Sequence, residues 1–360
     1  MSMEEFDELD VEIDDGDDDE VAVNYEIASY PSDFTLSGIR DMWLAEDIVI
    51  PDYQREFVWT IKQSSLLIDS FLTGLPVPPV FFYVDDDNKS LVIDGQQRIL
   101  SVVFFLEGYF GKENVQGRRQ VFRLSGLHEG HPYLNARFED LAEKDQRKLR
   151  QAVLRAINIR QLNPDGESTS SYHIFERLNT GGTPLKPQEI RNCVFRGDFN
   201  RLLKEANSDK NWRAILGKPY LDKHQKDVEL LLRVFALTGS WSRYEKPMKE
   251  FLNVAMKKHD GADTKKVANF FEVFPKVTKF VVEELGTKPF HLRGPLNVSA
   301  LDSVLAVLIQ NYKKMQDLGL EECYERLKND EEFDEYTRIN TTDTKVVRDR
   351  CSLVREYLFG

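Results

Sequence analysis

Five consecutive residues, Asp94-Gly95-Gln96-Gln97-Arg98, carry the densest chemistry in this chain. An arginine offers a fixed charge and a planar fork of donors suited to phosphate or carboxylate oxygens. The two glutamine carboxamides donate and accept, and an aspartate can hold a divalent cation or orient a water. The stretch sits between Leu91-Val92-Ile93, which reads as the end of a buried strand, and the apolar run Ile99 to Leu106, which reads as a helix. Gly95 permits a tight turn there. Backbone N–H groups and the positive end of the helix dipole converge on the same spot, which favours an anion. The expectation is a phosphate-handling site. No Gly-x-x-x-x-Gly-Lys-Ser/Thr occurs, so the cradle is not a Walker loop.

Two further polar clusters flank it in sequence. Pro51-Asp52-Tyr53-Gln54-Arg55-Glu56-Phe57-Val58-Trp59 is a polar and aromatic loop after the short strand Ile48-Val49-Ile50. Arg177-Leu178-Asn179-Thr180-Gly181-Gly182 follows a helical stretch from Ser168, and its paired glycines allow close backbone approach to a ligand. A basic face is expected on an amphipathic helix from Glu143 to Arg155, where Lys144, Arg147, Lys148 and Arg150 lie on or near the side opposite Leu149 and Val153. Residues 112–160 carry eleven Lys or Arg against six Asp or Glu, a surplus suited to nucleic-acid phosphates or to a solvated face. The six histidines are scattered, and His128 and His131 flank a glycine in a loop context, so no metal site is expected. Cys193, Cys323 and Cys351 are isolated and odd in number, which points away from a disulfide framework and toward a reducing cytoplasm.

The elements that must position these residues divide the chain in three. Residues 1–24 hold twelve Asp or Glu and no Lys or Arg, leaving the rest of the chain near −1 out of a net −13. Such a stretch buries little and is expected to be a disordered acidic tail, either a solubility device or an arm competing for a basic groove. Residues 25–210 read as a small α+β domain. Thr35 caps a first helix, a second helix ends near Leu72, and Val80 to Val84 with Ser90 to Ile93 form a hairpin. Gln120 to Leu124 and Ala156 to Leu162 are further strands, and Pro187 opens a helix through Ile190 and Cys193. Residues 211–360 read as helical throughout. The stripes are Val228-Leu231-Leu232-Phe235, Val267-Phe270-Phe271-Phe274 (interrupted by Pro275) and Val347-Cys351-Val354-Leu358, with Ser299 and Asp302 resembling a capping box. No run of about 18 apolar residues occurs, so no membrane span is expected.

Five ordered blocks resemble the N-terminal domain family of GmrSD-type, modification-dependent restriction enzymes. They are Ile50 to Trp59, Leu67-Ile68-Asp69-Ser70, Gly74-Leu75-Pro76-Val77-Pro78, Val92 to Arg98, and Phe175 to Gly182. The resemblance implies a ParB/sulfiredoxin-like fold with a small mixed sheet, followed by an all-helical C-terminal domain. It also implies a site that binds and hydrolyses a nucleoside triphosphate, with Mg2+ as a candidate companion, to license attack on foreign DNA. By the same resemblance Asp94, Gln97 and Arg98 carry the catalysis. Tyr53, Gln54, Arg55, Gly95, Gln96, Arg177 and Asn179 line the nucleotide site. Lys144, Arg147, Lys148 and Arg150 remain the expected DNA contacts. Restriction members couple this domain to a His-Asn-His nuclease in the same or a partner chain. The scattered histidines here make cutting by this chain alone doubtful, and a partner nuclease takes that role. The alternative is a non-catalytic DNA-binding module regulated by its acidic tail.

Overall fold

The computed structural model describes residues 8–12, 27–50, 57–85, 87–111, 113, 117–161, 169–178 and 185–360. It divides into two units. One is Asn24–Gly166 with His173–Pro184, and the other is Met1–Val23 with Glu167–Tyr172 and Leu185–Gly360. The boundary expected at residue 210 therefore falls at Leu185, and the two helices between these positions belong with the C-terminal ones.

The chain's first strand, β1 (Val11–Glu12), belongs to the second unit. The sheet unit follows with β2 (Ile27–Thr35), α1 (Leu36–Leu44), β3 (Ile48–Val49), α2 (Ile61–Thr73), β4 (Val80–Val84), β5 (Ser90–Asp94) and α3 (Gln96–Glu107). Next come the small ladder of β6 (Tyr109–Phe110) with β7 (Gln120–Val121), then α4 (Glu143–Gln151), β8 (Val153–Gln161) and the later part of α5 (Ser170–Leu178). Among the described residues the main sheet runs β2-β8-β4-β5-β3. The β2/β8 and β4/β5 pairs are antiparallel, and the β4/β8 and β3/β5 pairs are parallel. This mixed sheet matches the expected α+β class.

Three local expectations change. The helix expected to Arg155 stops at Gln151, and Val153 begins a strand whose nine residues pair with β2 from Ile27 to Thr35. A nine-residue ladder outweighs the helical spacing of Leu149, Val153 and Ala156, because each step gains backbone hydrogen bonds and cross-strand packing. The strand expected over Gln120 to Leu124 shortens to two residues. Strand β2 itself has little apolar alternation, with Ser29, Tyr30 and Pro31 exposed at the sheet edge.

One face of the sheet (Val80, Phe82, Val92, Leu154 and Ala156) packs on Ile99, Val102, Val103 and Phe105 of α3, Ile68 and Leu72 of α2, and Leu36 and Ile39 of α1. On α3 every residue from Ile99 to Phe105 is buried. A helix so surrounded takes its place from packing, and its half-buried polar residues are confined to the first turn and Glu107. Phe175 of α5 lies against Tyr83 of β4, ring centroids 5.7 Å apart.

The helical unit contains α6 (Pro187–Val194), α7 (Asp198–Asn207), α8 (Lys210–Leu216), α9 (Lys226–Leu237), α10 (Met248–His259) and α11 (Lys265–Leu285). It continues through β9 (Leu296–Asn297), α12 (Val298–Gln310), α13 (Leu320–Lys328), α14 (Glu331–Tyr336) and α15 (Thr344–Phe359). Helix α12 is buried from Val298 to Ile309 and forms the centre of this core. Pro275 does not end its helix, because α11 passes through it with Val267, Phe270, Phe274, Val277 and Val281 all buried. That burial outweighs the roughly 3 kcal/mol cost of an interior proline. The Ser299/Asp302 capping box does not form. Asn297 caps α12 by accepting from Ala300 N at 2.9 Å, and Asp302 is buried between Arg233 and Arg350.

The tail also differs from expectation. Residues 8–12 are docked on the helical unit, with Leu9 only 4% exposed and β1 paired with β9. The remainder of residues 1–24 lies outside the described residues.

Candidate functional site

Strands β3 and β5 are parallel neighbours, registered Ile48 to Ser90 and Val49 to Leu91. Their carboxyl ends therefore leave the sheet at one edge, the edge where open sheets commonly place ligands. The segment after β3 leads into the Pro51-to-Trp59 block, and the turn after β5 is Asp94-Gly95-Gln96. Two of the sequence blocks thus start from the same edge.

Gly95 makes the turn. Its φ is +100°, and a Cβ there would lie 2.3 Å from Val80 Cγ1. Both the left-handed backbone and the approach to β4 require glycine. The turn folds Arg98 back over the strand end. Its Nη2 donates to Asp94 Oδ2 at 2.6 Å and to the Pro79 carbonyl at 3.1 Å. The Arg98 side chain is 17% exposed and that of Asp94 44% exposed, so the ion pair stands at the rim. Arg98 Nε is buried and donates to no acceptor among the described residues. Arg98 is thus neither open to solvent nor closed off. It has one counter-ion at hand and a donor unused.

Gln97 ties down the neighbouring block. Its Oε1 accepts from Val58 N at 3.0 Å and Trp59 N at 3.1 Å. Phe57 packs edge-on against Phe104 of α3 at 5.0 Å and against Phe110 at 5.4 Å. The described end of the Pro51-to-Trp59 block is therefore fixed to the helix that carries Arg98. Tyr53, Gln54 and Arg55 lie outside the described residues, as does Asn179 with the Gly181-Gly182 pair. Arg177 is exposed near the end of α5, two residues beyond the Phe175 that packs on Tyr83. Gln96 is half-buried in the first turn of α3.

The four basic residues of α4 are all exposed but differ in their neighbours. Lys148 reaches back to the Leu72 carbonyl at the end of α2, and Arg150 lies 5.1 Å from the centre of the Phe138 ring. Arg147 stands 3.9 Å from Glu143, and Lys144 is exposed. On this helix Lys144 and Arg147 are the cations best placed to meet an external anion.

His131 sits between groups on both ring nitrogens, with Nε2 3.3 Å from Asp69 Oδ1 and Nδ1 3.3 Å from Tyr133 N. Burial, with Asp145 nearby, holds the Tyr133 phenol above its usual range. No group of three or more His, Cys, Asp or Glu among the described residues could hold a metal ion.

Sequence reasoning missed a second polar assembly, on α6. Gln188, Glu189, Arg191 and Asn192 are all buried there. Arg191 donates to Asn253 Oδ1 at 2.9 Å, Glu229 Oε2 at 2.7 Å and Gln188 Oε1 at 3.1 Å. The available signal was four polar residues crowded into one short helix directly after a Gly-Gly loop.

Residues 36–196 match the family model described as GmrSD restriction endonuclease, N-terminal domain. No curated protein matches the chain. No helix among the described residues is long and apolar enough to cross a membrane. The matched region runs from α1 through the β3 and β5 strand ends and the Gln97 tie to α6, so it is this part of the chain that is similar to the GmrSD N-terminal domain.

Proposed function

We propose that this chain is the nucleotide-responsive module of a DNA-restriction system, binding and hydrolysing a nucleoside triphosphate at the Asp94–Arg98 turn. The observation that carries the reading is Arg98 itself: a guanidinium at a strand-to-helix junction with one rim-exposed counter-ion and an unused buried Nε donor. A partly exposed ion pair contributes about 1 kcal/mol or less, whereas a charge-assisted bond to phosphate is worth roughly 1.5–3 kcal/mol. A phosphate group can therefore take Arg98 from Asp94. Arg98 then neutralises charge developing on the transferred phosphoryl group, and the released Asp94 carboxylate orients the attacking water. Gln97 acts as a positioning residue, fixing the block that carries Tyr53, Gln54 and Arg55 as the second wall.

Mg2+ fits this arrangement in one way. Asp94 supplies a single carboxylate, and magnesium commonly completes its shell with substrate phosphate oxygens and water. Arg177 and Asn179 extend the nucleotide site, Lys144 and Arg147 are the candidate contacts to a DNA backbone, and a separate nuclease does the cutting.

Phosphate release from each common NTP, measured with and without Mg2+, tests the proposal. Arg98→Ala should lower turnover by about a hundredfold or more while leaving the circular dichroism spectrum unchanged. Equal turnover by the variant and the natural protein rejects the assignment. Nucleotide binding by calorimetry without any phosphate release leaves the site and removes the hydrolysis.

A further inference from the structure

Residues Glu8–Glu12 sit on the helical unit in the manner of a bound peptide. Leu9 is the anchor, 4% exposed and part of the helical core. The backbone on either side is read by hydrogen bonds. Leu9 N donates to Asp222 Oδ2 at 2.8 Å, Leu296 N donates to the Asp10 carbonyl at 3.2 Å, and Val11 and Glu12 pair in parallel with Leu296 and Asn297. This is strand addition, in which main-chain bonds hold an extended segment and a side-chain cavity selects it.

The receptor side carries hydrogen bonds of its own. Asp222 is 3% exposed, and its Oδ1 accepts from His224 N at 2.8 Å and Lys226 N at 3.0 Å, closing the loop before α9. That leaves Oδ2 turned to an N–H from 213 residues away in sequence. Without the docked segment, this buried carboxylate oxygen would lose that donor. The contact also reaches α6. Glu8 Oε1 is 3.9 Å from His224 Nε2, and His224 Nδ1 is 3.3 Å from Glu189 Oε1. Glu189 Oε2 in turn accepts from Lys186 N at 2.7 Å at the first turn of α6.

We propose that the groove between Asp222 and β9 is a docking site for an extended segment with a leucine between acidic residues, and that Glu8–Glu12 is its occupant in cis. The segment acts as an exchangeable latch that steadies the start of α6 through His224. The inference does not depend on the nucleotide reading, and it replaces a wholly free acidic tail with one held near its start.

The test uses the full chain, its Leu9→Asp variant, and a fluorescent synthetic peptide spanning Glu4 to Gly16. The peptide should bind the variant, whose groove is vacated, about tenfold or more tightly than the natural protein, whose groove is filled. A peptide carrying the same Leu9→Asp change should bind neither. Amide exchange at Leu296 and Lys186 should quicken in the variant and slow again when peptide is added. Should Leu9→Asp fail to fold, Leu9→Ala read by the same exchange and binding measurements takes its place. Peptide binding to neither chain, or equally to both, overturns the proposal, as does unchanged exchange at Leu296. Light scattering should give a concentration-independent mass, and a dimer that dissociates on adding peptide overturns the cis assignment.

Discussion

At the scale of single residues, Gly95 is the position on which the site turns. Adding a methyl group there places an L-residue at φ +100° and drives its Cβ to within 2.3 Å of Val80. Gly95→Ala should cost about 2–4 kcal/mol, read as a lowered midpoint in urea at an unchanged slope. A fall of a few tenths would mean that the turn can relax. The chemical character of Asp94, Gln97 and Arg98 was legible from their types, but the pairing between them was not. Asp94 and Arg98 are four residues apart, yet Asp94 ends a strand, so the helical i,i+4 rule did not apply; the glycine turn brings them together. Gln97's bonds to Val58 and Trp59 span nearly forty residues, and no local pattern announces them.

At the scale of elements, α2 shows what local chemistry does specify. Thr60 accepts from Gln63 N at 3.3 Å, Gln63 Oε1 accepts from Thr60 N at 2.9 Å, and Gly74 closes the other end in a left-handed conformation. This helix supports the core beneath α3, so its first turn matters to the site. Thr60→Ala should destabilise the protein by about 1 kcal/mol, measured as a drop in thermal midpoint, with faster amide exchange confined to the first turn of α2. Loss without local exchange would assign the cost elsewhere. Elements with such caps or clear stripes were legible: the Thr35 cap of α1, Pro187 at the head of α6, the β4/β5 hairpin and the helices of the C-terminal unit. Those held by partners were not. Strand β2 has too little alternation to be seen without β8, and α11 crosses Pro275 because its neighbours bury both sides of the break.

At the scale of the whole molecule, the helical core contains a basic corner whose charge responds to pH. His259 is 6% exposed, with Nδ1 2.8 Å from Thr264 Oγ1 and its ring 5.1 Å from that of Phe235. Burial, reinforced by the charges of Lys266 and Lys258, pushes its pKa down from 6.5 to about 4. Folding therefore favours the neutral ring. The stability tied to this group is fully present above pH 6.5 and is lost as pH falls from there toward 4. Between pH 7 and pH 5 the natural protein should lose about 2 kcal/mol more than His259→Gln, measured by denaturant unfolding. Parallel pH profiles for the two proteins would show the ring to be solvated. Lys266 follows the same course at higher pH. Burial brings its pKa to about 8, so the protein should gain stability as pH rises from there toward 10.5. Neither shift was visible in the sequence, where His259 is one of six scattered histidines; nor was the docking of Leu9, which requires a groove assembled from residues more than two hundred positions away. The sheet edge carries a final consequence for solution behaviour. Among the described residues strand β2 pairs on one side only, for nine residues, and Pro31 interrupts its outer margin with a residue that has no N–H to lend. Pro31→Val would restore a continuous adhesive border, and the variant should precipitate at protein concentrations that leave the parent clear.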